Sequence, residues 1–166
     1  MKRPPMHLRF RLTLAAGLMA CVTWATAAPV VVGQPLPALA VKDQHDQVWQ
    51  VPANAELLIY SASREASSRL QAILKQQGLD FLTSRRAVYL ANMSRMPAFI
   101  TRTMALPSLR DEPFRLGVVM DDKLTADWPV KDDAVTLITL KEGKVTGIVF
   151  ATDHDAVRRA LRLPAP

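Results

Sequence analysis

The densest group of chemistry-bearing side chains is Ser61, Ser63, Arg64, Glu65, Ser67 and Ser68. It follows the apolar run Leu57-Leu58-Ile59-Tyr60 and precedes Leu70, Ile73 and Leu74 at helical spacing, so it falls where a strand hands over to a helix. Such a junction gathers unpaired backbone N–H groups and the positive end of the helix dipole, both of which attract anions. Ser63, Arg64, Glu65, Ser67 and Ser68 are therefore candidate residues for binding a ligand or partner. A second chemistry is open to the same loop, with Glu65 as acid/base and Arg64 as anion clamp. A plain helix start uses the same residues, with a serine as cap and Glu65 complementing the dipole. No residue is assigned as catalytic.

Other candidates are weaker. Met93, Met96 and Met104 offer thioethers of the kind that hold Cu(I), but methionine at such spacing also fills cores. His45 and His154 stand far apart, and no H-x-x-x-H or E-x-x-H spacing occurs, so neither a metal site nor any other cofactor is expected. A serine-hydrolase elbow, G-x-S-x-G, is absent, as is the G-x-G-x-x-G of dinucleotide binding. Residues 94–111 mix apolar and cationic side chains between Pro97 and Pro107, with Arg95 and Arg102 placed to meet a partner or a membrane surface. Trp128, beside Pro129, is either a binding anchor or a plug for the sheet edge.

The elements that must position these residues follow from periodicity. Residues 28–37 form an extended, proline-punctuated lead-in. Residues 39–41 and 48–51 alternate as a hairpin, and 57–60 and 87–91 are continuous apolar runs of buried strands. A helix is expected from Ser61 or Ser63 to Gly78, and another from Pro97 to just before Pro107, with Phe99, Ile100 and Met104 on one face. Residues 114–120 read as a strand, and 135–140 and 145–150 as a hairpin about Gly143. Thr152 or Asp153 caps a last helix bearing Ala156, Val157, Ala160 and Leu161.

Ahead of this domain, Lys2, Arg3, Arg9 and Arg11 precede an uncharged run from Leu12 to Trp24, and Ala25-Thr26-Ala27 supplies small residues. These are the three parts of a secretory signal peptide, so residues 1–27 are expected to be removed and the mature chain to be periplasmic or secreted. Leu18-Met19-Ala20-Cys21 also resembles a lipobox, which would leave a lipoprotein anchored through Cys21. Without residues 1–27 the chain keeps 17 basic residues against 15 acidic, a net charge of +2. The high whole-chain pI thus stops being a sign of nucleic-acid binding, and the remaining cations are dispersed. Cys21 is the only cysteine, so the mature domain, residues 38–166 with its lead-in, has no thiol.

The order hairpin, strand, helix, strand, helix, strand, hairpin, helix resembles the thioredoxin-like superfamily, in its peroxiredoxin and TlpA-like branch. Gly33-Gln34-Pro35-Leu36-Pro37 is similar to that branch's G-x-x-x-P opening, residues 57–63 to the strand that delivers the redox motif, and residues 136–145 to the late hairpin. The resemblance spans residues 30–162 and implies an α/β fold: a three-layer sandwich whose central mixed sheet carries an amino-terminal hairpin and a carboxyl-terminal hairpin plus helix. It also implies where redox cysteines would stand, and Glu65 and Ser68 stand there. A carboxylate and a hydroxyl cannot exchange disulfides. The family's cis-proline position falls near Val135. The expectation is a non-redox binding or accessory module of the cell envelope. Its partner would be a protein or a small anionic ligand, with no nucleic acid, and membrane contact only through Cys21 or peripherally.

Overall fold

The computed structural model describes residues 28–164. Seven strands form one mixed sheet: β1 (Ala40–Asp43), β2 (Val48–Gln50), β3 (Leu57–Ser61), β4 (Ala87–Asn92), β5 (Leu116–Val119), β6 (Val135–Lys141) and β7 (Lys144–Ala151). Their order across the sheet is β2-β1-β5-β4-β3-β6-β7. The centre, β5-β4-β3, is parallel, as expected of runs apolar on both faces; the two hairpins attach antiparallel at either side. The carboxyl ends of β3, β4 and β5 therefore open on one end of the molecule, with Ser61 level with Ala91 and Asn92 level with Val119.

Strand parity divides the core in two. Ile59, Tyr89, Ala91, Val135 and Leu137 face one way, beneath α1 (Arg64–Leu74) and α5 (His154–Ala160). Leu58, Tyr60, Leu90 and Ile138 face the other way. That second face is covered by the lead-in, the 51–55 segment and a 3₁₀ turn (Asp122–Thr125) that carries the chain to Trp128. The lead-in is stitched to the start of β7: the Gly33 N–H donates to the Val145 carbonyl, and the Val145 N–H to the Gln34 carbonyl.

Two close fits hold the amino-terminal hairpin. Trp49 of β2 reaches across β1 and lies on Gly117 of β5, where a Cβ would stand 2.6 Å from the indole. The buried Gln44 amide donates to the Phe114 carbonyl (2.8 Å) and accepts from the Leu116 N–H (3.1 Å), acting as one more rung between hairpin and sheet. The β6–β7 turn is a two-residue loop in which Glu142 and Gly143 both have positive φ, the geometry that suits a twisted hairpin.

The helices depart from expectation at two places. The first ends at Leu74, with Gly78 in the left-handed region only after a further turn, and a short α2 (Phe81–Ser84) follows. The second does not stop before Pro107. It runs as α3 (Ala98–Ile100), a π turn (Thr101–Ala105) and α4 (Leu106–Arg110), with the Leu106 N–H donating to the Thr101 carbonyl. Proline lacks the N–H and its ring crowds the carbonyl four residues back; widening the preceding turn relieves both and lets the helix continue.

Candidate functional site

Only Ala62 and Ser63 separate β3 from α1, so Arg64 already lies in the helix. Ser63 is the N-cap: its backbone is extended, and its hydroxyl accepts from the Ala66 N–H at 3.1 Å. Arg64, Glu65 and Ser68 point to solvent, with Glu65 in the first turn, where its charge complements the dipole. Ser61 and Ser67 are buried. The Ser61 hydroxyl lies 2.8 Å from that of Ser67 and 2.9 Å from that of Tyr89, so strand, helix and the neighbouring strand are tied beneath the loop. Burial pushes the Tyr89 hydroxyl above its usual pKa, although Ser61, Ser67 and Gln71 stabilise its charged form; it stays protonated and able to donate.

On the opposite face a second polar cluster closes the same end. The Asn92 amide donates to the Tyr60 hydroxyl (3.1 Å) and the Thr125 hydroxyl (3.0 Å), while its carbonyl oxygen accepts from the N–H and hydroxyl of Ser94. The sequence reading missed this cluster. Its trace is Asn92, a polar residue at the last position of an otherwise apolar strand, on the parity shared with Leu90. Val135 faces Ser61 across the β3–β6 ladder, so the position beside the loop is apolar and buried. Neither of the two clefts described below is lined by residues 61–68.

The remaining candidates divide. Trp128 is not an exposed anchor: it is 4 % exposed, and its ring meets Tyr60 edge-on at 5.2 Å. A tryptophan between a 3₁₀ turn and a sheet face buries more apolar area by packing inward, and here it forms part of the floor of an apolar cleft of about 620 Å³. A smaller cleft of about 230 Å³ lies between β2 and α2. Arg95 and Arg102 are exposed, and so are Phe99 (74 %) and Met104 (66 %). The wide π turn between Phe99 and Met104 brings residues five apart toward one side. By contrast, Thr101 and Leu109 are buried and seat the helix. Met93 is a core residue and Met96 half-buried, so with Met104 exposed the three methionines do not share one environment. Among the described residues no group of three or more His, Cys, Asp or Glu side chains is placed to hold a metal ion, and no helix is long and apolar enough to cross a membrane. Cys21 and the rest of residues 1–27 lie outside the described residues.

A mixed sheet of this order, with a cap-and-helix loop after β3 and a hairpin at each side, is a thioredoxin-like fold. The chain thus has a thioredoxin-like fold, and its one cysteine stands at position 21. Among solved structures it is similar to the peroxidoxin BcpB of Mycobacterium tuberculosis, with TM-score 0.55 and 12 % identity over 80 % of this chain and 95 % of that one. It is also similar to a thio-disulfide isomerase of Thermus thermophilus, with TM-score 0.52 and 17 % identity over 80 % and 96 %. A third is the thioredoxin domain of a thiol-disulfide oxidoreductase of Bacteroides vulgatus, with TM-score 0.52 and 11 % identity over 80 % and 99 %. No family model and no curated protein matches the sequence. At these identities the likeness establishes the fold; chemistry has to be argued from the site.

Proposed function

We propose that this is an exported thioredoxin-like binding or accessory module of the cell envelope that carries out no thiol redox chemistry. The observation that carries the reading is the state of the loop after β3. By the resemblance of residues 57–63, the superfamily's cysteine positions fall near Glu65 and Ser68, and Ser61, Ser67 and Tyr89 are joined by buried hydrogen bonds at the start of the same helix. A site with no thiol keeps the scaffold's shape without its reaction. Export rests on the order of charged, apolar and small residues before position 28.

The binding surface in this reading is the end of the sheet where β3, β4 and β5 finish, since open α/β sheets take their ligands outside the carboxyl ends of parallel strands. Arg64 stands there, and the chain leaving β4 presents Arg95, Phe99, Arg102 and Met104. Apolar anchors ringed by arginine suit an acidic protein surface. The test is a photo-crosslinking residue placed at position 99 in exporting cells, against the same residue at exposed position 32. A discrete adduct at 99 that Arg95→Glu with Arg102→Glu abolishes supports the reading. Equal labelling at both positions overturns the binding surface. Disulfide or peroxide turnover by the purified chain overturns the non-redox assignment.

A further inference from the structure

The two faces of the sheet are covered by different means. α1 and α5 lie over one of them. The other is covered by extended chain: the lead-in, the 51–55 segment and the 3₁₀ turn before Trp128. A helix with its side chains covers a strip about 10–12 Å wide, an extended segment less than half of that, so gaps stay open between the segments. The apolar cleft of about 620 Å³ is such a gap. Ala40 of β1 and Gln50 of β2 line it towards one side of the sheet, and Leu140 of β6 lines it towards the other. β1 and β6 stand four strand spacings apart, about 19 Å, so the cleft is a trench across the sheet rather than a round pit. Pro37 and Pro52 in its walls have fixed φ, and Trp128 in its floor meets Tyr60 edge-on, so the trench keeps its shape before anything enters.

No charged side chain lines this trench, and Gln50 and Trp128 bring its only polar side-chain groups. Ala28 also lines it. In the precursor the Ala28 nitrogen is a neutral amide. Cleavage after Ala27 turns it into an α-ammonium, whose ordinary pKa is near 8, and that cation becomes the one charge among the lining groups. The volume lies within the range of small-molecule sites. A long apolar trench with a single cation is complementary to an apolar chain that carries a single anion.

We propose that the processed chain binds a free fatty acid, its alkyl chain laid along the trench over Trp128 and its carboxylate paired with the α-ammonium of Ala28. The inference rests on the export reading above, since only removal of residues 1–27 supplies the charge. The site is separate from the partner surface at Phe99 and Met104, neither of which lines the trench.

The test begins with the intact mass and amino-terminal sequence of protein purified from exporting cells. Ala28 is the expected first residue. A chain that retains residues 1–27 overturns the export reading and this proposal with it; any other first residue, Cys21 included, overturns this proposal alone. The processed chain is then titrated calorimetrically with octanoate, decanoate, dodecanoate and dodecanol. Each two further buried methylenes should tighten binding about tenfold, and dodecanol should bind about tenfold more weakly than dodecanoate. Acetylating the α-amine at about pH 6.5, where lysines stay protonated, should erase the difference between acid and alcohol. Ala38→Glu, at an exposed position of the lining, should weaken dodecanoate about tenfold or more. Absent dodecanoate binding, equal affinity across the three acids, or wild-type affinity in Ala38→Glu overturns the trench as the site. Dodecanol binding as tightly as dodecanoate, or acetylation without effect, overturns recognition of the carboxylate. A doubled mass in sedimentation that dodecanoate does not reverse gives the trench to a second copy and overturns the proposal.

Discussion

The Ser61 hydroxyl lies 2.9 Å from the Tyr89 hydroxyl, directly beneath the loop at which a thioredoxin-like chain would carry its thiols. Tyr89 is wholly buried, so its oxygen has no water to fall back on. Tyr89→Phe removes one bond but leaves Ser61 with Ser67, and a destabilisation of about 1 kcal/mol is expected. Ser61→Val deletes the hub, leaves Ser67 and Tyr89 each short of a buried partner and should cost about 2–3 kcal/mol. Urea melts of the two variants give the order; a Tyr89→Phe effect equal to or above that of Ser61→Val contradicts the hub.

The Trp49–Gly117 contact should tolerate no added carbon. Gly117→Ala sets a methyl 2.6 Å from the indole and 2.9 Å from Leu90, where the ring cannot retreat without opening the hairpin. A loss of about 1–3 kcal/mol is expected, as for other overpacked sites. Trimming the ring in the same chain, Trp49→Leu, should make the added methyl less harmful, a non-additivity that a double-mutant cycle measures.

Asp43 gives the fold an acid limb. Burial pushes its pKa up, but the Arg115 guanidinium (2.6 Å) and the N–H groups of Gln47 and His45 outweigh burial and hold it below the ordinary aspartate value. A depressed carboxylate stabilises the fold above the unfolded-state pKa, near 4, and that contribution disappears as pH falls through the lower folded value. Asp43→Asn should therefore be less stable than wild type by about 1–2 kcal/mol at pH 7, and the gap should narrow below pH 4. Thermal melts across pH 2.5–7 check this; a gap that is constant with pH would show that the charge is not what matters.

Trp128→Ala should act on stability before it acts on any partner. The side chain is buried on Tyr60 beneath the 3₁₀ turn, and its removal is expected to cost about 3–5 kcal/mol. Trp128→Phe, which keeps an aromatic edge, should recover more than half of that. A folded Trp128→Ala chain of wild-type stability would return the residue to the surface.

Much of this architecture is legible in the residues because local and global preferences agree. The runs at 57–60 and 87–91 are apolar without alternation, and both are central parallel strands. Glu142-Gly143 between alternating runs is a hairpin turn, and Ser63 and Asp153 both cap the helices they precede. The reading faltered where one residue type serves two ends. Pro107 reads as a helix stop, but a π turn absorbs it. Trp128 beside a proline reads equally as a binding anchor or as a plug, and what decides for the buried side chain is the 3₁₀ turn and Tyr60, 68 positions away. The Asn92–Tyr60–Thr125 cluster depends on three segments meeting, and no local pattern announces it.

The turn at Thr101–Ala105 can also be seen as a matter of counting. A helix bonded five residues apart, rather than four, holds one residue more than its length requires. If one exposed residue there, Thr103, were deleted, the helix could close in regular steps around the missing bond of Pro107. Leu109 would keep its seat in the core, since the surplus is confined to the turn before it. The helix thus contains a removable residue, and the face that holds Phe99 and Met104 together would be what the shortened chain gives up.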